Sequence, residues 1–188
     1  VHWPAGMEAR GEVRHQYGHA IDMVPTVLDL LGLEPPHAIA GVQQSPIEGL
    51  SMAETLANAE AVSARTTQYF EMLGHRSIYH DGWKAVCPWP GTSFAEGQPC
   101  GTPIPAEKLT ELDATGWELY HVAEDWTESH DVAADHPDRM IEMIALWYVE
   151  AGKYDVLPVD GRAQQRFADE RPQLSPDRER YTYYPGTQ

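Results

Sequence analysis

The dipeptide Asp81-Gly82 is the strongest local signal in this sequence, because Asp-Gly between two alternating runs is typical of a two-residue β-hairpin turn. The runs on either side, residues 76–80 and 83–86, alternate in the way that β-strands do. An earlier run, residues 66–72, has the same period of two. We therefore predict a three-stranded antiparallel meander, and the alternating segment 117–122 predicts a fourth strand in the same sheet.

A helix is predicted to begin at Asp135-His136-Pro137 and to end near Gly152, because Asp can cap a helix and proline is favoured at its first position. Its apolar residues recur at helical spacing and predict one buried face, formed by Met140, Ile141, Ile144, Trp147 and Tyr148. This helix can cover one face of the sheet. The predicted fold class of this part is therefore α+β, with a four-stranded antiparallel sheet packed on a helix.

A second helix is predicted from Val24 to Leu31, with Pro25 in its first turn and Gly32 at its end. Its apolar side chains share one face, which we predict to be core: Val24, Val27, Leu28 and Leu31.

The charge of the chain excludes two classes of partner. Thirteen Lys and Arg against 29 Asp and Glu give a net charge of −16 over 188 residues, whereas binding to nucleic acid or to anionic membranes depends on clustered cations. No apolar run approaches the roughly 18 residues of a membrane span. We predict neither a nucleic-acid partner nor a membrane partner.

Two groups of histidines are candidates for metal sites. His15 and His19 are four residues apart, and a second group combines histidines with carboxylates: His121, His130, His136, Asp125, Asp131 and Asp135. Neither group has dense ligand spacing, so we interpret both as polar, solvated segments. The spacing Asp125-x-Thr127-x-Ser129-x-Asp131 resembles a calcium loop, but it lacks the glycine at the sixth position and the glutamate at the twelfth.

Cys87 and Cys100 are the only cysteines, and three interpretations stay open for them. They are a loop-closing disulfide, two unpaired thiols or half of a metal site. A disulfide requires an oxidising compartment, and the absence of Cys-x-x-Cys spacing disfavours the metal.

The order of several segments resembles the C-terminal portion of a type I, formylglycine-dependent arylsulfatase. Two motifs carry most of the resemblance: Asp22-x-x-Pro25-Thr26-x-Leu28-Asp29-x-x-Gly32, and Arg76-x-Ile78-x-x-x-x-Trp83-Lys84. Residues 1–6, 68–72 and 117–133 add to it in the same order. The chain begins at Val1 without a methionine and ends in a strand-like run, so we also expect it to be part of a longer protein.

The resemblance implies an alkaline-phosphatase-like α/β fold for the full protein. It assigns residues 1–60 to the end of the catalytic domain and residues 61–160 to a C-terminal subdomain with an antiparallel sheet and a helix. Residues 161–188 become a linker or the start of a further strand-rich domain. The N-terminal catalytic domain of the same protein is then a partner of this portion.

The family implies a Ca²⁺ ion and a formylglycine residue made from Cys or Ser within Cys/Ser-x-Pro-x-Arg. Neither Cys87 nor Cys100 lies in that pattern, so both cofactor sites are expected outside this chain. No catalytic residue and no metal ligand is predicted here. The one substrate-mouth candidate is His75, in the turn Leu73-Gly74-His75.

These observations predict that the full protein hydrolyses a sulfated small molecule or an aryl sulfate ester, and that this portion alone is inactive. The alternative is a free-standing, non-catalytic binding module derived from a sulfatase subdomain.

Overall fold

The computed structural model describes residues 1–4, 6–7, 11–89, 106–157, 159 and 161, apart from the side chains of Ala106 and Leu109. The chain divides into two compact units, residues 1–68 and 69–188, which are described separately. No helix within the described ranges is both long enough and apolar enough to cross a bilayer.

The first unit contains little regular structure. A 3-10 helix, Ala20–Asp22, leads into α1, Met23–Leu30, and a shorter helix α2 covers Ala53–Ala57. Between the helices, β1 (Ala38–Ile39) and β2 (Val42–Gln43) form a two-residue antiparallel ladder. Ala40 and Gly41 both have positive φ, of 50° and 83°, as the turn of such a tight hairpin requires.

The apolar face predicted for α1 is wrong. Val24, Val27 and Leu31 are 57%, 55% and 62% exposed, and Leu28 is half-buried. The buried side of the helix is polar instead and carries Asp22 and Thr26. The spacing identified a helix correctly, but hydrogen bonds from other parts of the unit determine which side faces inward.

The second unit contains the predicted four-stranded antiparallel sheet, in the order β3-β4-β5-β6. Its strands are β3 (Thr67–Met72), β4 (His75–His80), β5 (Trp83–Cys87) and β6 (Glu118–Tyr120). At the β4–β5 turn, Asp81 and Gly82 have φ values of 45° and 83°, which confirms the predicted hairpin.

The core of the second unit lies between the sheet and α4, Pro137–Lys153. Ile78 pairs with Ala85, which pairs in turn with Leu119, so three fully buried side chains cross the sheet side by side. Met143 and Trp147 of α4 belong to the same buried cluster. A further helix, α3 (Ala106–Thr115), contributes Leu112 to it.

The predicted face of α4 is correct at its centre and wrong at its margin. Trp147 is fully buried, whereas Ile141 is 66% exposed and Tyr148 is 38% exposed. Met143, which was not among the predicted core residues, is fully buried. The helix begins after His136 rather than after Asp135, with Pro137 at its first position as predicted.

Candidate functional site

The first sulfatase-like motif is built around a buried ion pair, which we call the Asp22–Arg65 clamp. The Asp22 side chain is fully buried. It accepts hydrogen bonds from the backbone N–H groups of His19 (2.9 Å) and Leu50 (2.8 Å). Arg65 donates to it through Nε, at 2.8 Å and 3.1 Å from the two oxygens, and through Nη2. One carboxylate therefore joins the start of α1 to two distant segments.

Two other residues of the motif hold the same helix against the chain. The Thr26 hydroxyl donates to the Asp22 carbonyl at 2.5 Å and accepts from the Met52 backbone N–H at 2.9 Å. Asp29 accepts from the Ser51 hydroxyl at 2.5 Å. The spacing of polar residues along α1 is thus explained by docking of the helix, since each of them bonds within this unit.

The electrostatics of the clamp favour an ionised Asp22. Burial alone would raise the pKa of this carboxyl group. Hydrogen bonds from Arg65, Leu50 and His19 outweigh burial, and they lower the pKa to about 2. Asp22 is therefore a paired structural anion, unlike a catalytic base, whose pKa lies near the working pH.

The second motif centres on Arg76, whose buried guanidinium lies over the rings of Trp117 and Trp147, at 5.1 Å and 5.5 Å from their centroids. Nη1 donates to Asp113 at 2.7 Å and to the Tyr148 hydroxyl at 3.1 Å. These contacts tie β4 to α3 and α4. Among the described residues, Arg76 is buried and its contacts hold the core together.

Cys87 is also part of this buried cluster. Its Sγ accepts a hydrogen bond from Arg76 Nη2 at 3.2 Å. Burial raises the pKa of the thiol, and the nearby Arg76 opposes this only in part. A buried thiol with a raised pKa is a poor nucleophile. Cys100 lies outside the described residues, so the proposed Cys87–Cys100 disulfide stays a prediction.

His75, the substrate-mouth candidate, is the first residue of β4 and is half-buried. Its Nδ1 accepts a hydrogen bond from the Trp89 backbone N–H at 3.0 Å, so in neutral imidazole the proton is on Nε2, an atom buried in this chain. The Trp89 ring packs closely on Gly74, where an added Cβ would lie 2.4 Å from the ring. The turn and Trp89 therefore fix the orientation of the imidazole.

Several of the other histidines and carboxylates bond within or near their own segment. Asp125 accepts hydrogen bonds from Thr127, Ser129 and the backbone N–H of His130, which hold the pKa of Asp125 well below its usual value. Asp131 accepts from the Leu119 and Ala133 backbone N–H groups. His19 is the N-cap residue of the 3-10 helix, and His15 is exposed. Within the part of the chain that the structure describes, no three His, Cys, Asp or Glu side chains could hold a metal ion.

Sequence reasoning missed the partners of the two motif residues. Arg65 and Asp22 are 43 positions apart, and Asp113 is 37 positions from Arg76. No local pattern marks such pairs. The sequence did contain one indirect signal. If the side of a helix that carries three polar residues is buried, those residues require hydrogen-bond partners elsewhere in the chain.

Comparison with known proteins links the chain to sulfatases. No protein-family model matches it. A curated Schizosaccharomyces pombe protein, named as an uncharacterized sulfatase, is 24% identical over 139 residues, which is 73% of this chain and 22% of that protein. The solved structure of Ps i-CgsB matches with a TM-score of 0.50 at 19% identity, over 89% of this chain and 31% of that one. BT4656, solved with its substrate D-glucosamine-2-N,6-O-disulfate, matches at 19% identity with a TM-score of 0.44, over 73% of this chain and 24% of that one.

These matches confirm the predicted fold class, because the chain has the mixed α/β architecture of its structural neighbours, with a four-stranded antiparallel sheet and helices. The chain spans less than a third of each of these three proteins, between 22% and 31% of their lengths.

Proposed function

We propose that this chain is the C-terminal portion of a longer sulfuric ester hydrolase of the formylglycine-dependent arylsulfatase type. The observation that carries the proposal is the 24% identity to a sulfatase over 139 residues, together with motifs that occur in sulfatase-like order. The motif residues Asp22, Thr26 and Arg76 hold helices and strands in place. This portion therefore supplies framework to the enzyme, and the chemistry resides elsewhere.

The proposed cofactors, Ca²⁺ and formylglycine, belong to that other part. The described residues do not fit either group: no ligand set for a cation is present among them, and Cys87 is buried outside a Cys-x-Pro-x-Arg pattern. When bound, the metal and the formylglycine supply charge neutralisation and the nucleophile.

The proposed substrate is a sulfated small molecule or an aryl sulfate ester. Its anionic group requires cationic partners, whereas residues 101–160 hold 3 basic and 14 acidic side chains, a net charge of −11. The acidic portion is therefore unsuited to holding the sulfate group itself, and the proposal gives that task to the N-terminal catalytic domain.

The reading frame upstream of Val1 provides the first test. We expect it to encode Cys/Ser-x-Pro-x-Arg, and we expect the purified full-length protein to hydrolyse 4-nitrophenyl sulfate in the presence of calcium. The 188-residue chain is expected to give no turnover with or without calcium. A start codon close to Val1 would instead support the alternative, a non-catalytic binding module. Turnover by the 188-residue chain would contradict the proposed location of the nucleophile.

His75 is a second, separable proposal, as a residue at the leaving-group side of the substrate mouth. Because Nδ1 accepts a hydrogen bond from Trp89 and Nε2 is buried in this chain, the role proposed for His75 is to hold the Leu73-Gly74-His75 turn in position at the mouth. In the full-length enzyme, His75→Asn keeps a hydrogen-bond acceptor but loses the imidazole. We expect kcat/KM for an aryl sulfate to fall about 10-fold, because the turn at the mouth loses the imidazole that positions it.

The control for His75 is His80→Asn, at the other end of the same strand. It is expected to leave kcat/KM unchanged. If His75→Asn and His75→Ala both kept the wild-type value for several aryl sulfates, the role of His75 at the substrate mouth would be excluded.

A further inference from the structure

The outward side of α1 is an uninterrupted apolar stripe, which we call the outer face of α1: Met23, Val24, Val27 and Leu31. These side chains are between 55% and 62% exposed. At 100° per residue they fall within about a third of the helix circumference, so they form a single surface. Exposed apolar stripes of this kind usually mark a contact with another protein surface.

The helix cannot bury this stripe by turning. Its opposite side is fixed by the Asp22–Arg65 clamp and by the bonds of Thr26 and Asp29 to residues 51 and 52. A rotation that brought Val24 and Val27 inward would separate the buried Asp22 carboxylate from Arg65, and leaving either charge buried and unpaired is strongly unfavourable. The outer face therefore stays outward as long as the clamp is formed.

The outer face also lacks charge. From Ile21 to Leu33 the only ionisable side chains are Asp22, which is buried, and Asp29, which bonds to Ser51. Leu33 and the hairpin residues Ile39 and Val42 add further apolar side chains that are between 55% and 59% exposed. A charged partner would find no counter-charges along this stripe, whereas an apolar layer would fit it.

We propose that the outer face of α1 is covered by the preceding part of the same polypeptide, through an apolar layer such as one face of a β-sheet. This inference rests on the proposed function, which makes the chain a portion of a longer enzyme. The matched proteins are more than three times as long as the portion aligned here, so they have ample chain to supply that layer. In mixed α/β architectures, helices bury their apolar stripes on sheet faces.

Site-directed labelling tests this contact. Val27→Cys places a thiol on the outer face, and Val62→Cys is the matched control in the same unit, at a residue that is 84% exposed. In the full-length protein we expect a maleimide to label Cys at position 27 about 100-fold more slowly than Cys at position 62, because labelling must wait for local opening. In the 188-residue chain the two rates are expected to agree within about threefold. Peptide mapping separates the introduced thiols from the native cysteines.

The outcomes separate this inference from the proposed function. Rapid labelling at position 27 in a full-length protein that hydrolyses 4-nitrophenyl sulfate overturns the inference and leaves the proposed function intact. Slow labelling in a full-length protein without sulfatase activity supports the inference and contradicts the function. Slow labelling at position 27 in the 188-residue chain overturns the inference, because the rest of the chain or a second copy then covers the stripe. An open reading frame that begins near Val1 also overturns it.

A charged substitution gives an independent readout. Val27→Asp is expected to reduce the soluble yield of the full-length protein severalfold and to leave that of the 188-residue chain unchanged, with Val62→Asp as the control. Equal yields of the two full-length variants would argue against a buried outer face.

Discussion

Asp22→Asn is expected to lower the free energy of unfolding by about 3–5 kcal/mol, because it leaves the buried Arg65 guanidinium without its counter-charge. The side chains have nearly the same volume, so packing changes little. Urea denaturation of the 188-residue chain, followed by circular dichroism, measures the loss. The double variant Asp22→Asn/Arg65→Met removes both charges, and we expect it to recover a large part of the stability.

Asp29→Asn is the matched control for Asp22→Asn. Asp29 lies on the same helix but is exposed, and it accepts a hydrogen bond from the Ser51 hydroxyl. Its replacement is expected to change the free energy of unfolding by at most about 1 kcal/mol. Equal losses of unfolding free energy for Asp22→Asn and Asp29→Asn would contradict a large contribution of the Asp22–Arg65 clamp to stability.

The clamp also predicts an acid-sensitive component of stability. The pKa of Asp22 is about 2 in the folded chain against an ordinary value of 3.8, so the ionised form favours folding. The stabilisation is complete above about pH 4 and is lost as the pH falls toward about 2, amounting to about 2 kcal/mol at 1.36 kcal/mol per pKa unit. The difference between wild type and Asp22→Asn should therefore shrink over that interval.

Trp147→Ala is the second substitution with a large expected effect, a loss of about 3–5 kcal/mol in the free energy of unfolding. The indole is fully buried in the core of the second unit. Its ring makes an interplanar angle of 62° with the ring of Trp117, and the Arg76 guanidinium lies over it. Its Nε1 donates a hydrogen bond to the Phe70 carbonyl at 3.0 Å. Truncation removes the packing and leaves the carbonyl without this donor.

Ile141→Ala, on the same helix, is the control for Trp147→Ala. The sequence pattern places Ile141 on the buried face, whereas the structure exposes two-thirds of it. We expect a change within about 0.5 kcal/mol, as for ordinary surface substitutions. If the free energy of unfolding fell as much for Ile141→Ala as for Trp147→Ala, Ile141 would belong to the buried face, as the sequence spacing predicts.

The antiparallel sheet could be predicted from the sequence because its signals are local. Asp81-Gly82 adopts the positive φ values of a tight hairpin turn, and the alternation on either side of it fixes which side chains face the core. Ile78, Ala85 and Leu119 then meet in register as a consequence. Local signals in the sequence also predicted the positions of α1 and α4 to within one or two residues.

The orientation of α1 could not be predicted in this way. Periodicity separates an apolar side from a polar side, and apolar sides are usually buried. In this chain the partner of the polar side is Arg65, 43 residues beyond Asp22, and only the tertiary structure brings the two together.

The same distinction between local and long-range interactions applies to the candidate site. The sequence by itself determined the four strands of the large sheet, the helices α1 and α4 and the sulfatase-like motifs, because turns, alternation and short spacings depend on neighbours within a few residues. The tertiary structure alone decided what the motif residues do. Asp22 and Arg76 act as framework because their partners, Arg65 and Asp113, come from distant positions, where burial turns a hydrogen bond between charges into a strong constraint on the fold.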